Sequence, residues 1–224
     1  MQVQDIEVIL LKVSGQDKPG VTAGLTSILA TYDAVILDIG QADIHDTLSL
    51  GILFEIKAGS SSGPVLKDLL FKAYELGVKV KFIPISIGDY EIWVKAQRKQ
   101  RYIINVLGET LTAVQLAAVT RILSNQNLNI DAIKRLTGRV SIIDKEEFPR
   151  SCIQLSVTGT IVDKTFMTAS FMEISRTLDV DISFQEDNMY RRNRRLVCFD
   201  MDSTLIQTEV IDELAELAGV GEQV

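Results

Sequence analysis

Two carboxylates and two hydroxyls crowd the stretch from Asp200 to Thr204: Asp200, Asp202, Ser203 and Thr204. They follow the apolar run Leu196-Val197-Cys198-Phe199, continuous rather than alternating, as in a strand buried on both faces of a parallel sheet. Groups at the carboxyl end of such a strand lie in the usual ligand crevice of an open α/β sheet. Aspartates at i and i+2 around a turn suit phosphoryl transfer. One carboxylate, kept ionised against a divalent cation, can attack phosphorus. The second can protonate the departing alkoxide and then activate water. Mg²⁺ favours such a hard oxygen environment, and amides of the turn can face the transferring oxygens. A bare Asp-x-Asp is otherwise a helix cap or a turn.

A second candidate is Gly15-Gln16-Asp17-Lys18-Pro19-Gly20, at a strand-to-helix junction. Gly15 and Gly20 allow close backbone approach, Pro19 presets the first helical turn, and the helix start offers unpaired amides to an anion such as an amino-acid carboxylate. Read without a ligand, the same residues make a tight turn in which Asp17 caps the helix. His45, the single histidine, falls at a hairpin turn and reads as a solvated turn residue. The run Lys95 to Arg101 reads as a solvated connector or strand edge, and Arg191 to Arg195 as a solvated linker.

Composition narrows the classes of function. A net charge of −7 gives no electrostatic reason to expect nucleic acid or an anionic membrane as partner. The two cysteines, Cys152 and Cys198, lie in apolar runs and read as buried reduced thiols, which fits a cytoplasmic location. No stretch approaches the ~18 uninterrupted apolar residues of a membrane span.

The elements that position these groups follow from periodicity. Ile6 to Val13 is strand-like, and Val21, Leu25, Ile28 and Leu29 carry helical spacing. Val35 to Ile44 and Leu48 to Ile56 pattern as a hairpin, a helix carries Val65, Leu69, Leu70, Ala73, Tyr74 and Leu76, and Val78 to Ile87 alternates as a strand. The order β-α-β-β-α-β is the ferredoxin-like arrangement of the α+β class. It then recurs. Val13-Ser14-Gly15-Gln16 is matched by Val106-Leu107-Gly108-Glu109, and Leu76-Gly77-Val78-Lys79-Val80 by Leu178-Asp179-Val180-Asp181-Ile182. The offset grows between the two matches, which places an extra loop at Leu136 to Arg150 in the second copy. The division expected is a first domain over residues 1–88, a connector over 89–100, a second domain over 101–188 and a further segment over 189–224.

The repeated element order, with Asp17-Lys18-Pro19-Gly20 in the first copy, resembles the ACT domain family. That resemblance implies regulatory modules that pair side by side and bind amino acids through Gly15, Asp17, Pro19 and Gly20 and a facing edge. In the second copy the aligned residues are Thr110, Leu111, Thr112 and Ala113, so a structural or pairing role is expected there.

Phe199-Asp200-Met201-Asp202-Ser203-Thr204-Leu205, with Glu209-Val210-Ile211-Asp212-Glu213-Leu214-Ala215 after it, resembles motif I of the haloacid dehalogenase superfamily in its phosphoserine phosphatase branch. The resemblance implies the first strand and helix of an α/β domain. It makes Asp200 the nucleophile and a Mg²⁺ ligand, Asp202 the general acid/base with its carbonyl on the metal, and Glu209 a contact to the substrate ammonium. Thr208 to Ala218 is expected as a helix ended by Gly219. The implied activity is Mg²⁺-dependent hydrolysis of O-phosphoserine to serine, regulated by an amino-acid effector, serine among the candidates, in a homodimer paired through ACT domains. The branch's remaining phosphate-binding and metal-binding groups belong beyond the motif-I helix. The expectation is therefore an amino-terminal part of such an enzyme, inactive by itself. The alternative is a non-catalytic amino-acid-binding and pairing module.

Overall fold

A computed structural model of the chain describes residues 6–57, 62–96, 99–139, 141, 143, 150–191, 198–202 and 204–221. It divides into two compact units, residues 1–98 and 99–224.

In the first unit, β1 (Glu7–Gln16) leads to α1 (Val21–Thr31), the hairpin β2 (Val35–Ile44) and β3 (Thr47–Ile56), α2 (Ser62–Leu76) and β4 (Lys79–Ile85). The strands form one antiparallel sheet in the order β2-β3-β1-β4. Period-two alternation puts Ile9, Leu11 and Val13 of β1 on the same face as Leu48, Leu50, Ile52, Phe54 and Ile56 of β3, and all are buried. The helices answer with matched stripes. Val21, Leu25 and Leu29 of α1, and Val65, Leu69 and Ala73 of α2, each recur every four residues and close over that face. Each fully buried leucine contributes roughly 1.5–3 kcal/mol.

The second unit repeats the plan with β5 (Arg101–Gly108), α4 (Ala113–Asn125), β6 (Asn129–Arg135), β7 (Ser151–Thr158), α5 (Lys164–Leu178) and β8 (Asp181–Glu186), sheet order β6-β7-β5-β8. Its core gathers Tyr102, Ile104, Val106, Val119, Leu123, Leu155, Val157, Met167 and Phe171. The register of each hairpin slips early in its first strand, between Ile36 and Asp38 in one copy and between Ile130 and Ala132 in the other. The extra loop falls where the offset places it, since β6 ends at Arg135 and β7 begins at Ser151.

One expectation changes. Most of the stretch read as a connector is helical, α3 (Ile87–Ala96), and the strand before it stops at Ile85 rather than Ile87. The hydroxyl of Ser86 accepts the Asp89 amide at 3.1 Å and donates to the Asp89 carboxylate at 2.6 Å, a local cap that starts the helix. No residue of α3 is buried, so its apolar positions build no helical stripe.

Candidate functional site

At the first junction Gly15 is forced by packing: a Cβ there would meet Cγ1 of Val78 at 3.0 Å and its Cα at 3.2 Å. The chain then leaves β1 tied to the hairpin, because the Asp17 amide donates to the Asp46 carbonyl at 2.8 Å. His45, exposed and at φ 59°, forms the turn, and its ring contact holds the Asp46 carboxyl below its ordinary value.

Lys18-Pro19-Gly20-Val21 is a β-turn. Val21 N donates to the Lys18 carbonyl at 3.4 Å, Pro19 occupies the second position, and Gly20 has φ 95° and ψ −9°, the type II geometry that glycine alone adopts cheaply. Two expectations are corrected here. Pro19 sets this turn rather than the first helical turn. Gly20, not Asp17, is the helix cap, and among the described residues no side-chain cap bonds the start of α1. Those amides, with the positive end of the helix, are available to an anion.

Two residues the sequence reading passed over flank them. The Thr22 hydroxyl donates to Oε1 of Gln41 at 3.1 Å, tying the first turn of α1 to β2. Gln41 is opposite Leu50, which is buried, so it is a polar residue at an inward register position on an edge strand. That break in the apolar alternation is the signal that could have found it. Gly15, Asp17, Pro19 and Gly20 thus lie at one junction, with Thr22, Gln41 and Asp46 around it.

The matching junction of the second unit is closed by its own side chains. Thr112 caps α4 by accepting the Gln115 amide at 3.3 Å, and Oε1 of Gln115 accepts the Thr112 amide at 2.8 Å. Gln115 Nε2 also donates to the Leu178 carbonyl at 2.8 Å. The donors left open in the first copy are used internally in the second.

The carboxylates near the end of the chain have a different setting. Leu196, Val197 and Ser203 lie outside the described residues. Cys198 to Asp200 belong to no strand, and Phe199 is 66% exposed, in keeping with a buried-type run that lacks its ladder partners here. A buried strand requires ladder partners on both sides, and no strand among the described residues pairs with this segment. Its thiol Cys198 is likewise exposed rather than buried, whereas Cys152 is half-buried.

The Asp200 carboxylate accepts the Met201 amide at 3.0 Å, and Asp202 accepts the Val210 amide at 3.4 Å. Asp202 therefore stands at the start of α6 (Val210–Leu217), whose N-cap residue is Glu209. Gly219 follows the helix end with φ 73°, and Val220 N bonds the Ala215 carbonyl at 2.9 Å. The helix is two residues shorter at its start than the expected Thr208 to Ala218. Asp200 and Asp202 supply only oxygen donors, the type a Mg²⁺ site takes. Among the described residues no three Asp, Glu, His or Cys side chains are gathered as a metal cluster. No helix among them is long and apolar enough to cross a membrane.

Comparison with known proteins places both junctions in context. ACT domain family models match residues 7–83 and 101–185. A phosphoserine phosphatase of Streptomyces coelicolor is 32% identical over 223 residues, 100% of this chain and 50% of that protein. A phosphoserine phosphatase of Mycobacterium tuberculosis is 29% identical over 96% of this chain and 50% of that protein. The chain thus spans about half the length of these relatives. The crystal structure of an unknown protein from Galdieria sulphuraria superposes with a TM-score of 0.65 at 16% identity, covering 82% of this chain and 100% of that one.

Proposed function

This chain belongs to the ACT-domain family, and we propose that it is the amino-terminal regulatory part of a Mg²⁺-dependent phosphoserine phosphatase serving serine biosynthesis. Two ACT domains and similarity to phosphoserine phosphatases along the whole chain support a regulatory part of that pathway. The observation that carries the regulatory reading is the helix start behind Pro19-Gly20, which no side chain among the described residues caps. An amino-acid carboxylate bonds those amides, with Thr22 and Gln41 beside it, and serine is the effector of first choice because it is the product. The second copy, whose matching amides are occupied by Thr112 and Gln115, serves structure and pairing.

In the catalytic reading, the Asp200 carboxylate attacks phosphorus of O-phosphoserine and the bond from phosphorus to the serine oxygen breaks. Asp202 gives its proton to that departing oxygen. It then takes a proton from water, which attacks the acyl phosphate and releases inorganic phosphate. The Asp200 carboxylate and the Asp202 carbonyl are the groups that would hold Mg²⁺, which would supply positive charge to the transferring group. Glu209 contacts the substrate ammonium. By themselves these 224 residues are expected to turn nothing over, since the resemblance to the phosphoserine phosphatase branch places its remaining phosphate- and metal-binding groups beyond the motif-I helix.

Isothermal titration of the chain with L-serine and the other amino acids tests the regulatory reading. Binding is expected, with the heat lost in Gly20→Ala while the circular dichroism spectrum is kept. An absence of heat with every amino acid would leave only an architectural module. For the catalytic reading, Asp200→Asn in an active parent enzyme abolishes phosphoserine hydrolysis, and full activity in that variant would remove the nucleophile assignment. Mg²⁺-dependent phosphate release by the pure 224-residue chain would overturn its proposed inactivity.

A further inference from the structure

The two sheets differ on the face turned away from their helices. In the first sheet one row across all four strands runs Gly40, Gly51, Lys12 and Lys81, each the register partner of the next. The adjoining row runs Ala42, Ser49, Ser14 and Lys79. Leu11, Val13, Leu50 and Ile52, their neighbours along the strands, are buried in the core, so period-two alternation turns both rows outward. The corresponding row of the second sheet runs Lys134, Gln154, Asn105 and Ser183. There Gln154 Nε2 donates to Oδ1 of Asn105 at 3.1 Å, and Asn105 Nδ2 donates to the Ser183 hydroxyl at 3.0 Å, so side chains fill the row and satisfy one another.

Nothing fills the first row. Gly40 and Gly51 both lack a positive φ, so the backbone does not require glycine at either position. Packing does not require it either. A Cβ on Gly40 would meet nothing within 4 Å, and one on Gly51 would meet only Cδ1 of Leu10 at 3.9 Å and the Gly40 carbonyl at 4.0 Å, ordinary contacts. Glycine inside a strand weakens it, and one that neither fold nor turn demands leaves room for a molecule to approach the backbone. Beside this bare strip Lys12 and Lys81 stand directly opposite on neighbouring strands, with Lys79 one row away, all exposed. Like charges so placed repel. Among the described residues none of the three is in an ion pair or a hydrogen bond, and the Ser14 and Ser49 hydroxyls are equally without a partner. The acids of this face are distant in register: Asp38 is on the far edge strand β2, and Glu55 lies two rows beyond Gly51. In the second sheet Asn105, Asp181 and Ser183 take the places of Lys12, Lys79 and Lys81, so the cluster belongs to the first unit alone.

We propose that this face of the first sheet binds a phosphate group, free or carried by a small ester, seated over Gly40 and Gly51 with Lys12, Lys79 and Lys81 donating to its oxygens. Three ammonium groups and two hydroxyls, with no carboxylate among them, match a dianion with several acceptor oxygens better than a singly charged carboxylate. The site lies on the opposite side of the sheet from α1, and it does not depend on effector binding at the Gly20 turn.

Thermal unfolding of the 224-residue chain with inorganic phosphate, at ionic strength held constant with chloride, tests this. A saturable rise in Tm is expected, because a ligand of the folded state stabilises it and general screening is held fixed. Lys12→Gln with Lys81→Gln is expected to weaken binding at least tenfold. Gly51→Val does the same while leaving the chain at least as stable without phosphate, since a β-branched residue replaces glycine in a strand. Lys134→Gln, in the corresponding row of the second sheet, binds as wild type does. A parallel series with O-phosphoserine identifies the source: loss in the lysine variant with inorganic phosphate alone assigns the free ion, with O-phosphoserine alone the ester, and with both the shared group. The lysine variant keeps the heat of L-serine binding, which separates failure here from failure of the effector reading. No saturable shift with either compound, wild-type binding in the lysine or Gly51→Val variants, or an equal loss in Lys134→Gln would each overturn the proposal.

Discussion

Gly15 and Val78 are packed so closely that a side chain at Gly15 would require the end of β1 or the start of β4 to shift. A methyl there would come within 3.0 Å of Cγ1 of Val78 and 3.2 Å of its Cα. Gly15→Ala is therefore expected to destabilise the first unit by about 1–3 kcal/mol. Val78→Ala in that background recovers part of the loss, since it clears Cγ1 but not the backbone. Urea unfolding of the four proteins checks this, and a neutral Gly15→Ala would show that β4 yields without cost.

The matching contact in the second unit is looser. A Cβ on Gly108 would lie 3.6 Å from Cγ2 of Val180, ordinary van der Waals distance. Gly108→Ala is accordingly expected to cost less than Gly15→Ala. Equal losses at the two positions would mean that the packing difference carries no energy.

The cap of α4 is reciprocal, so its two members should couple. Thr112→Ala is expected to cost about 0.5–2 kcal/mol. Gln115→Ala costs more, because Gln115 is buried and also bonds the Leu178 carbonyl. In a double-mutant cycle the second substitution costs less once the first is made. Strict additivity would show that the two hydrogen bonds do not act together.

Much of this fold was legible because its signals are periodic. The four-residue recurrence of Val21, Leu25 and Leu29, the strand alternation and the growing offset between copies fixed both β-α-β-β-α-β units and the loop between Arg135 and Ser151. α3 escaped because a helix that buries nothing leaves no stripe, although Ser86-Ile87-Gly88-Asp89 carries the spacing of a cap. At the Gly15 to Gly20 junction the turn was legible and the local roles of its residues were not. Asp17 has the side chain of an N-cap, but Pro19-Gly20 imposes a turn that moves the cap to Gly20. Gln41 and Thr22 meet only through tertiary pairing across 19 residues, which no local pattern encodes. Around Asp200 the apolar run was a fair sign of a buried strand, yet burial requires neighbours that the described residues do not supply.

The two thiols should differ in reactivity. Burial raises the Cys152 thiol above its ordinary value, so less of it is thiolate at a given pH, while Cys198 is exposed. Limited alkylation with iodoacetamide followed by peptide mass mapping is expected to label Cys198 first. Faster labelling of Cys152 would contradict its half-buried position.

Alkaline pH offers a test of the second core. Tyr102 is buried, stacks on Phe184 with ring centroids 5.2 Å apart, and donates to Oε1 of Gln100 at 2.6 Å. Burial first, and the nearby Glu186 carboxylate second, raise its pKa above the ordinary 10.0. The unfolded chain therefore loses this proton at a lower pH than the folded chain. Its contribution to stability is complete below the ordinary value and is lost as pH rises through the raised one. Tyr102→Phe deletes that dependence and forfeits a hydrogen bond, so it is less stable at neutral pH and falls more gently above pH 10 than wild type. Urea midpoints of both proteins across this range decide the matter. Parallel curves would mean that Tyr102 ionises as readily in the folded core as in the unfolded chain.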